Sequence, residues 1–386
     1  MKLWLHSLSV ALLILLSSQS GLSQWIDDPQ YDRLVKQGVA EIYNLEFDSA
    51  DRTFREVVNR WPSHPSGYFF RAMVDWWRIT IEPENRSFEA AFSNKLEHVI
   101  EMCDRKLDSN PDDVTSLFFK GGAIGFRGRR RVTHEEWLTA ANDGRIAIPI
   151  VQHLFQLDPS NYDVLLGIGI YNYYAEVLPR EYPLIKPIAI LFPKGNRALG
   201  IAQLMIASEK AKYAWAEATY FLLQIYYGYE KDYAKALGLA EKLSRSYPRN
   251  SVFRRFIGRC DISLSRWTES QQVWSDIIAR CDRSETGYSA HVKREALYYL
   301  GLCAMSWGQL KEALRYYYAC DELSRSTDQH GPSPFMVMAN LKIGMVYDLQ
   351  NRRDLALEQY RKVTDWRDFY GSHREAEKYI ERPYGK

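Results

Sequence analysis

The 386-residue chain has little of what most catalytic folds need. Its five cysteines, Cys103, Cys260, Cys281, Cys303 and Cys320, make no C-x-x-C pair, so the spacing for dithiol redox or zinc-ribbon chemistry is missing. There is no G-x-S-x-G, and no Cys stands near a His in a nucleophile setting. His134-Glu135-Glu136 lacks a second His four residues after the first, which excludes the zincin pattern. Gly121, Gly122, Gly125 and Gly128 resemble a phosphate loop only superficially: no strand leads in and no Gly-Lys-Ser/Thr follows. Alternating apolar and polar runs between hairpin turns are absent, so a sheet is not expected. With 50 basic and 48 acidic side chains, the net charge of +2 provides no global field for nucleic acid or an anionic membrane. No catalytic residue, metal site or cofactor is expected.

What the chain does contain is apolar and aromatic matter. Hydrophobic residues are 46% and aromatics 14%, enough for a core and too much for a disordered chain. Tyrosine, at 26 copies, is the excess to explain. Residues 1–23 read as an export signal: Lys2, the apolar run Leu8–Leu16, then Ser17 to Ser23 with small residues for cleavage after Ser23, or failing that after Ser20. The run is far shorter than the ~20 residues that span a bilayer, so no transmembrane segment is expected in the mature chain, which would be periplasmic or secreted. No Cys stands at the cleavage point to carry a lipid. Export permits disulfides, but an odd number cannot all pair. Small buried thiols are the simpler account, with Cys303–Cys320 as the single pairing to check.

A period organises the rest. Tyr220-x2-Leu223-Gln224-x2-Tyr227 is followed by Ala236, Ala240 and Pro248, and residue 251 opens the next unit 34 positions after 217. Ile257-Gly258 with Ser270 and Trp274, Leu300-Gly301 with Ala313 and Tyr317, and Ile343-Gly344 with Ala356 and Tyr360 repeat the pattern, as do Gly38, Ala50, Phe54 and Pro62 near the start. This pattern resembles the tetratricopeptide repeat, a 34-residue helix–turn–helix unit; Gln224 departs from its glycine and Ala240 from its aromatic. The resemblance covers nearly all of 31–368 and implies an all-α solenoid of about eight helix pairs. Looser repeats occupy 24–212, regular ones 213–368, and a capping helix at about 372–381 lies within the closing stretch 369–386.

Three middle units are lengthened between their first and second helices, at Thr80–Ser87, Phe126–Thr133 and Glu176–Asn196. The second insertion carries Arg127, Arg129, Arg130 and Arg131, read as a loop that either binds an anion or pairs with acids such as Glu135 and Glu136. The third mixes four prolines with apolar residues from Leu178 to Pro193, and reads as a lid, a strip for a partner, or a segment packed on its own solenoid.

In the resembled family the first helix of each unit lines a concave groove, chiefly through positions 2, 5, 9, 12 and 13. Carried over, position 13 gives Tyr43, Trp77, Phe126, Tyr174 and Tyr229, position 12 adds Trp76 and Tyr173, and positions 5 and 9 of the sixth unit give Arg255 and Arg259. If these face the groove, they suit an extended ligand with apolar groups and acidic ends; if the register slips by one, they are core. The resemblance implies a scaffold that binds a protein or peptide. A small anionic or amphipathic ligand held by the middle units is the rival.

Overall fold

The structure, a computed structural model, describes residues 24–386 other than 84, 191 and 329–330, with the backbone alone at 184 and 188. The proposed signal at 1–23 lies outside the described residues. The described chain is a succession of antiparallel helix pairs with no strand among them. The pairs are α1 (Pro29–Tyr43) with α2 (Phe47–Arg60), α3 (Ser66–Ile81) with α4 (Glu89–Leu107), and α5 (Val114–Thr133) with α6 (Trp137–Leu157). In the fourth, α7 (Val164–Glu181) is separated by the short α8 (Lys186–Ala189) from its mate α9 (Arg197–Lys210). Then come α10 (Trp215–Ile225) with α11 (Tyr233–Ser246), α12 (Ser251–Ser263) with α13 (Trp267–Asp282), α14 (Ala290–Ser306) with α15 (Leu310–Thr327), and α16 (Pro334–Leu349) with α17 (Arg353–Asp365). Helix α18 (Ser372–Glu381) covers the end of the stack. This is the solenoid expected from the period, with the capping helix in its expected place.

The repeat pattern is explained by one recurring contact. A Cβ on Gly38, Gly258, Gly301 or Gly344 would overlap the ring of Phe54, Trp274, Tyr317 or Tyr360 respectively. Each ring lies sixteen residues further on and is buried within its own helix pair. Glycine on one helix and a ring on its mate let the two backbones close with no void. In the fifth pair the ring is replaced by the buried Ala240, so nothing there demands glycine, and Gln224 is tolerated. In the fourth pair Leu204 stands where the ring would, against Gly169, and the preceding small residue is Gly200, on which a Cβ would lie 2.5 Å from the Tyr173 amide nitrogen and 2.8 Å from the Gly169 carbonyl oxygen. There α7 and α9 meet backbone to backbone. The turn within five of the pairs is equally regular: Leu45, Lys231, Ser265, Gly308 and Asn351, all at the same repeat position, take left-handed φ between 55° and 70°.

Two of the lengthened segments differ from the sequence reading. Phe126–Thr133 is not a loop but the last turns of α5, and α5 and α6 absorb the added residues as helices of 20 and 21 residues. The extension is held by ion pairs rather than left in solvent: Arg127 and Arg131 both reach Asp143 on α6 at 2.6 Å, and Arg130 reaches Glu89 on α4 at 3.0 Å. Helix α7 likewise runs through Pro179 to Glu181 before the chain turns. All five cysteines are free thiols, Cys303 and Cys320 among them.

The stack does not stay open. Asn250 donates to the Tyr43 carbonyl at 2.8 Å, Arg249 reaches Glu46 at 2.8 Å, and Tyr213 donates to Asp32 at 2.7 Å. The first pair is thereby bound to the loops around the fifth. One continuous core runs from Tyr31 to Cys260, and smaller clusters serve the last pairs. The segment ahead of α1 is built into this closure. The amides of Gln24 and Asn161 hydrogen-bond each other in both directions, and the Trp25 indole N–H donates to Asp163 at 3.0 Å while its ring packs edge-on against Phe118, Phe119 and Tyr213.

His64 is part of the same closure, its Nε2–H donating to the Gln24 carbonyl at 3.1 Å while Nδ1 accepts from the Ser66 amide at 3.3 Å. Burial pushes the imidazole down to about 4, against a smaller upward pull from the Gln24 hydrogen bond. The folded state therefore takes up its proton only below the pH at which the unfolded chain does, so stability falls as pH drops from about 6.5 towards 4. By pH 4.5 His64 is expected to account for about 2 kcal/mol of that loss. Urea midpoints for wild type and His64→Asn check it: the variant should lose less stability over this range, and equal losses would assign the slope elsewhere.

Candidate functional site

A repeat solenoid offers its inner surface, formed by the first helix of each pair, as the natural binding face. In the first five pairs that surface is occupied by the chain itself. Tyr43 packs against Trp77 and Tyr247 with ring centroids 5.0 and 4.9 Å apart, and Trp77 against Phe253 and Tyr220 at 5.8 and 5.6 Å. Trp76 meets Phe92 and Phe126, both at 5.6 Å. The expected groove residues Trp76, Trp77 and Tyr173 are 5%, 2% and 0% exposed, so the reading of an open aromatic groove is corrected there: the first turn closes on the sixth pair and turns the groove into core. Phe126, Tyr174 and Tyr229 are half-buried around the same centre, Tyr174 and Tyr229 in edge contact at 5.6 Å.

Polar groups in this interior satisfy one another. Glu217 accepts from the Tyr43 hydroxyl at 2.7 Å and from Arg129 at 2.9 Å. The Arg129 guanidinium also lies over the rings of Phe221 and Trp76, at 4.4 and 5.0 Å. Tyr173 donates to Glu230 at 2.7 Å, and Arg197 pairs with the same carboxylate. Burial, then the Glu230 hydrogen bond, raise the Tyr173 phenol well above the usual range, so it stays protonated. The expected anion cradle of Arg127, Arg129, Arg130 and Arg131 is thus already filled by Asp143, Glu97, Glu217 and Glu89. The acids named from sequence are not the main partners; Glu136 comes only to 4.0 Å from Arg130.

Beyond the closed turn the inner surface reaches solvent again, around Arg255 and Arg259. Neither is free. Arg255 donates through Nε to one oxygen of Glu295 at 2.8 Å, and Arg259 through Nε to the other at 2.5 Å. Glu295 is fully buried, whereas the two arginine side chains keep 20% and 21% exposure. Burial works against the Glu295 charge, but attraction to both guanidinia holds its carboxyl below the usual range. Two guanidinia against one carboxylate leave one positive charge at the surface. Phe256, whose ring lies 5.3 Å from the Arg259 guanidinium carbon, and the half-buried Tyr227, 5.4 Å from Phe256, form an aromatic wall. Tyr299, stacked on Trp274 at 4.7 Å, is half-buried one turn beyond Glu295 on α14.

Glu295 and Tyr299 are not singled out by the sequence reading, and Tyr227 enters it only as a repeat-motif residue, though Glu295 had a signal. It occupies position 2 of its unit, a groove position facing the arginines of the preceding one. Among the described residues no group of His, Cys, Asp or Glu has the arrangement to hold a metal ion.

No protein-family model matches the chain, and no curated protein does. Solved structures resemble it. YrrB, a tetratricopeptide-repeat protein with an unusual peptide-binding site, is 19% identical over 56% of this chain and 97% of its own, with a TM-score of 0.35. PilF of Pseudomonas aeruginosa is 13% identical over 68% and 96%, with a TM-score of 0.41. The C-terminal part of a repeat-containing protein from Cytophaga hutchinsonii is 15% identical over 76% and 97%, with a TM-score of 0.36. By its own helix pairing, left-handed turns and glycine–ring contacts, the chain is an α-solenoid of tetratricopeptide type.

Proposed function

We propose that the chain is an exported scaffold, not an enzyme, that holds a protein or peptide partner on the inner face of its last three helix pairs. The observation behind this reading is the Arg255–Glu295–Arg259 cluster: a fixed, net-positive group that still reaches solvent beside Phe256 and Tyr227. Arginine and aromatic side chains of this kind dominate binding energy where proteins meet. An acidic segment of an extended partner suits that charge. The first five pairs would then serve as a rigid base, since their inner surface is spent on their own core.

The test is chemical crosslinking in envelope extract. A discrete partner should be captured by wild type and by the outer-face variant Arg245→Gln. It should be lost with Arg255→Gln/Arg259→Gln/Glu295→Gln, which removes the charge while keeping hydrogen-bonding side chains. Capture of the same partner by all three would reject this face, and capture of none would reject the scaffold reading.

A further inference from the structure

From Tyr182 to Ser208 the chain carries no acidic residue; its only charges are Lys186, Lys194 and Arg197. Flanking acids, Glu181 and Glu209, bound this 27-residue stretch. The structure anchors only part of it. Phe192 lies over Gly144 of α6, the Tyr171 hydroxyl donates to the Pro193 carbonyl at 2.5 Å, and the Arg197 amide donates to Glu176 at 2.7 Å. Ahead of those anchors Tyr182 is 51% exposed and Ile190 82%. After them, α9 shows solvent an apolar stripe of Ala198, Leu199, Ala202, Met205 and Ile206, spaced along one side of the helix. The neighbouring hairpin tip also exposes Val132, Trp137 and Leu138, but beside the exposed Glu135 and Glu136, so it lies outside the acid-free face.

An apolar face of this extent on a soluble fold marks a contact surface. Its charge says which. Arg197 is taken up by Glu230, while Lys186 and Lys194 are exposed and make no ion pair among the described residues. Within 182–208, apolar side chains with only cationic companions, and a tyrosine at the margin, complement a negatively charged lipid surface. No helix among the described residues is long and apolar enough to cross a membrane, so contact would be from the side. We propose that Tyr182, Lys186, Ile190 and Lys194, with the exposed stripe of α9, dock the solenoid onto an anionic bilayer surface, with Ile190, Leu199 and Met205 entering the acyl boundary and Lys186 and Lys194 meeting the headgroups. This face is separate from the Arg255–Glu295–Arg259 cluster, and its test is independent of partner capture.

The experiment is co-sedimentation of the purified chain with vesicles of phosphatidylcholine alone or mixed with phosphatidylglycerol. Wild type should pellet with the mixed vesicles, less at raised salt, and little with the neutral ones. Lys186→Glu/Lys194→Glu should weaken mixed-vesicle binding at least roughly tenfold, as loss and reversal of two headgroup contacts requires. Ile190→Asp/Met205→Asp should abolish it; both variants must melt as wild type does, and the lysine pair, being exposed, keeps the test open if the second does not fold. Three outcomes overturn the proposal. One is wild type left in the supernatant with mixed vesicles, and another is both variants pelleting like wild type. The third is a wild-type dimer in equilibrium sedimentation that Ile190→Asp/Met205→Asp converts to monomer without lipid binding in either, which assigns the face to a second copy.

Discussion

Gly200→Ala should cost about 3 kcal/mol or more, because the new methyl group meets backbone rather than a side chain that can rotate away. Its Cβ would lie 2.5 Å from the Tyr173 amide nitrogen and 2.8 Å from the Gly169 carbonyl, so α7 and α9 must separate along their whole contact. That contact includes Leu204, which is fully buried against the same crossing. Gly238 in α11 is the internal control: nothing lies within 4 Å of a Cβ there, and Gly238→Ala should stabilise by about 0.5–1 kcal/mol through helix propensity alone. Urea unfolding of the two variants checks both signs. A Gly200→Ala loss below about 1 kcal/mol would mean the helices part easily and that the glycine pair is not what sets their spacing.

Asp163→Ala should be comparably severe. The carboxylate is 4% exposed and accepts three hydrogen bonds, from the Trp25 indole at 3.0 Å and from the Tyr213 and Ala214 amides at 3.0 and 2.9 Å. Truncation leaves three donors without a partner, at about 1–3 kcal/mol each where water cannot replace it, and the expected loss is about 3–5 kcal/mol. Local release should accompany it. With Trp25 no longer held, limited proteolysis should cut ahead of α1 well before the core is attacked. Asp163→Asn keeps one acceptor and should fall between. If Asp163→Ala unfolds at the same urea concentration as Asp27→Ala, whose carboxylate is on an exposed approach to the first helix, the three-way contact is not holding the segment.

Much of the fold was legible because its cause is local. The glycine and ring sixteen residues apart are a within-pair contact, so Gly301 and Tyr317, or Gly344 and Tyr360, announce it without knowledge of the rest of the chain. The same logic made Gln224 and Ala240 look like departures, when together they are a consistent alternative. The site was less legible because its cause is distant. Whether Trp77 faces solvent or core depends on Phe253 and Tyr220, brought to it only when the superhelix closes. An aromatic at position 13 is the same letter in both cases. The arginines of α5 illustrate the other difficulty: their partners Glu89, Glu97, Asp143 and Glu217 lie on three different helices, and only the acids close by in sequence could be suspected.

The hydrogen bond from Asn250 to the Tyr43 carbonyl spans 207 positions of sequence. Most repeat arrays are quasi-one-dimensional and can be shortened unit by unit, because each unit contacts only its neighbours. This one follows two rules. From residue 290 onward the helices contact only their neighbours in the stack, so trimming α18 and then the last pairs should lower stability in increments. The first five pairs are a loop that must be completed, and its far end is supplied by the sixth. A chain emerging N-terminus first therefore holds Tyr43, Trp77 and their neighbours uncovered until roughly two-thirds of it has been released, and the high contact order of that half sets the rate of folding.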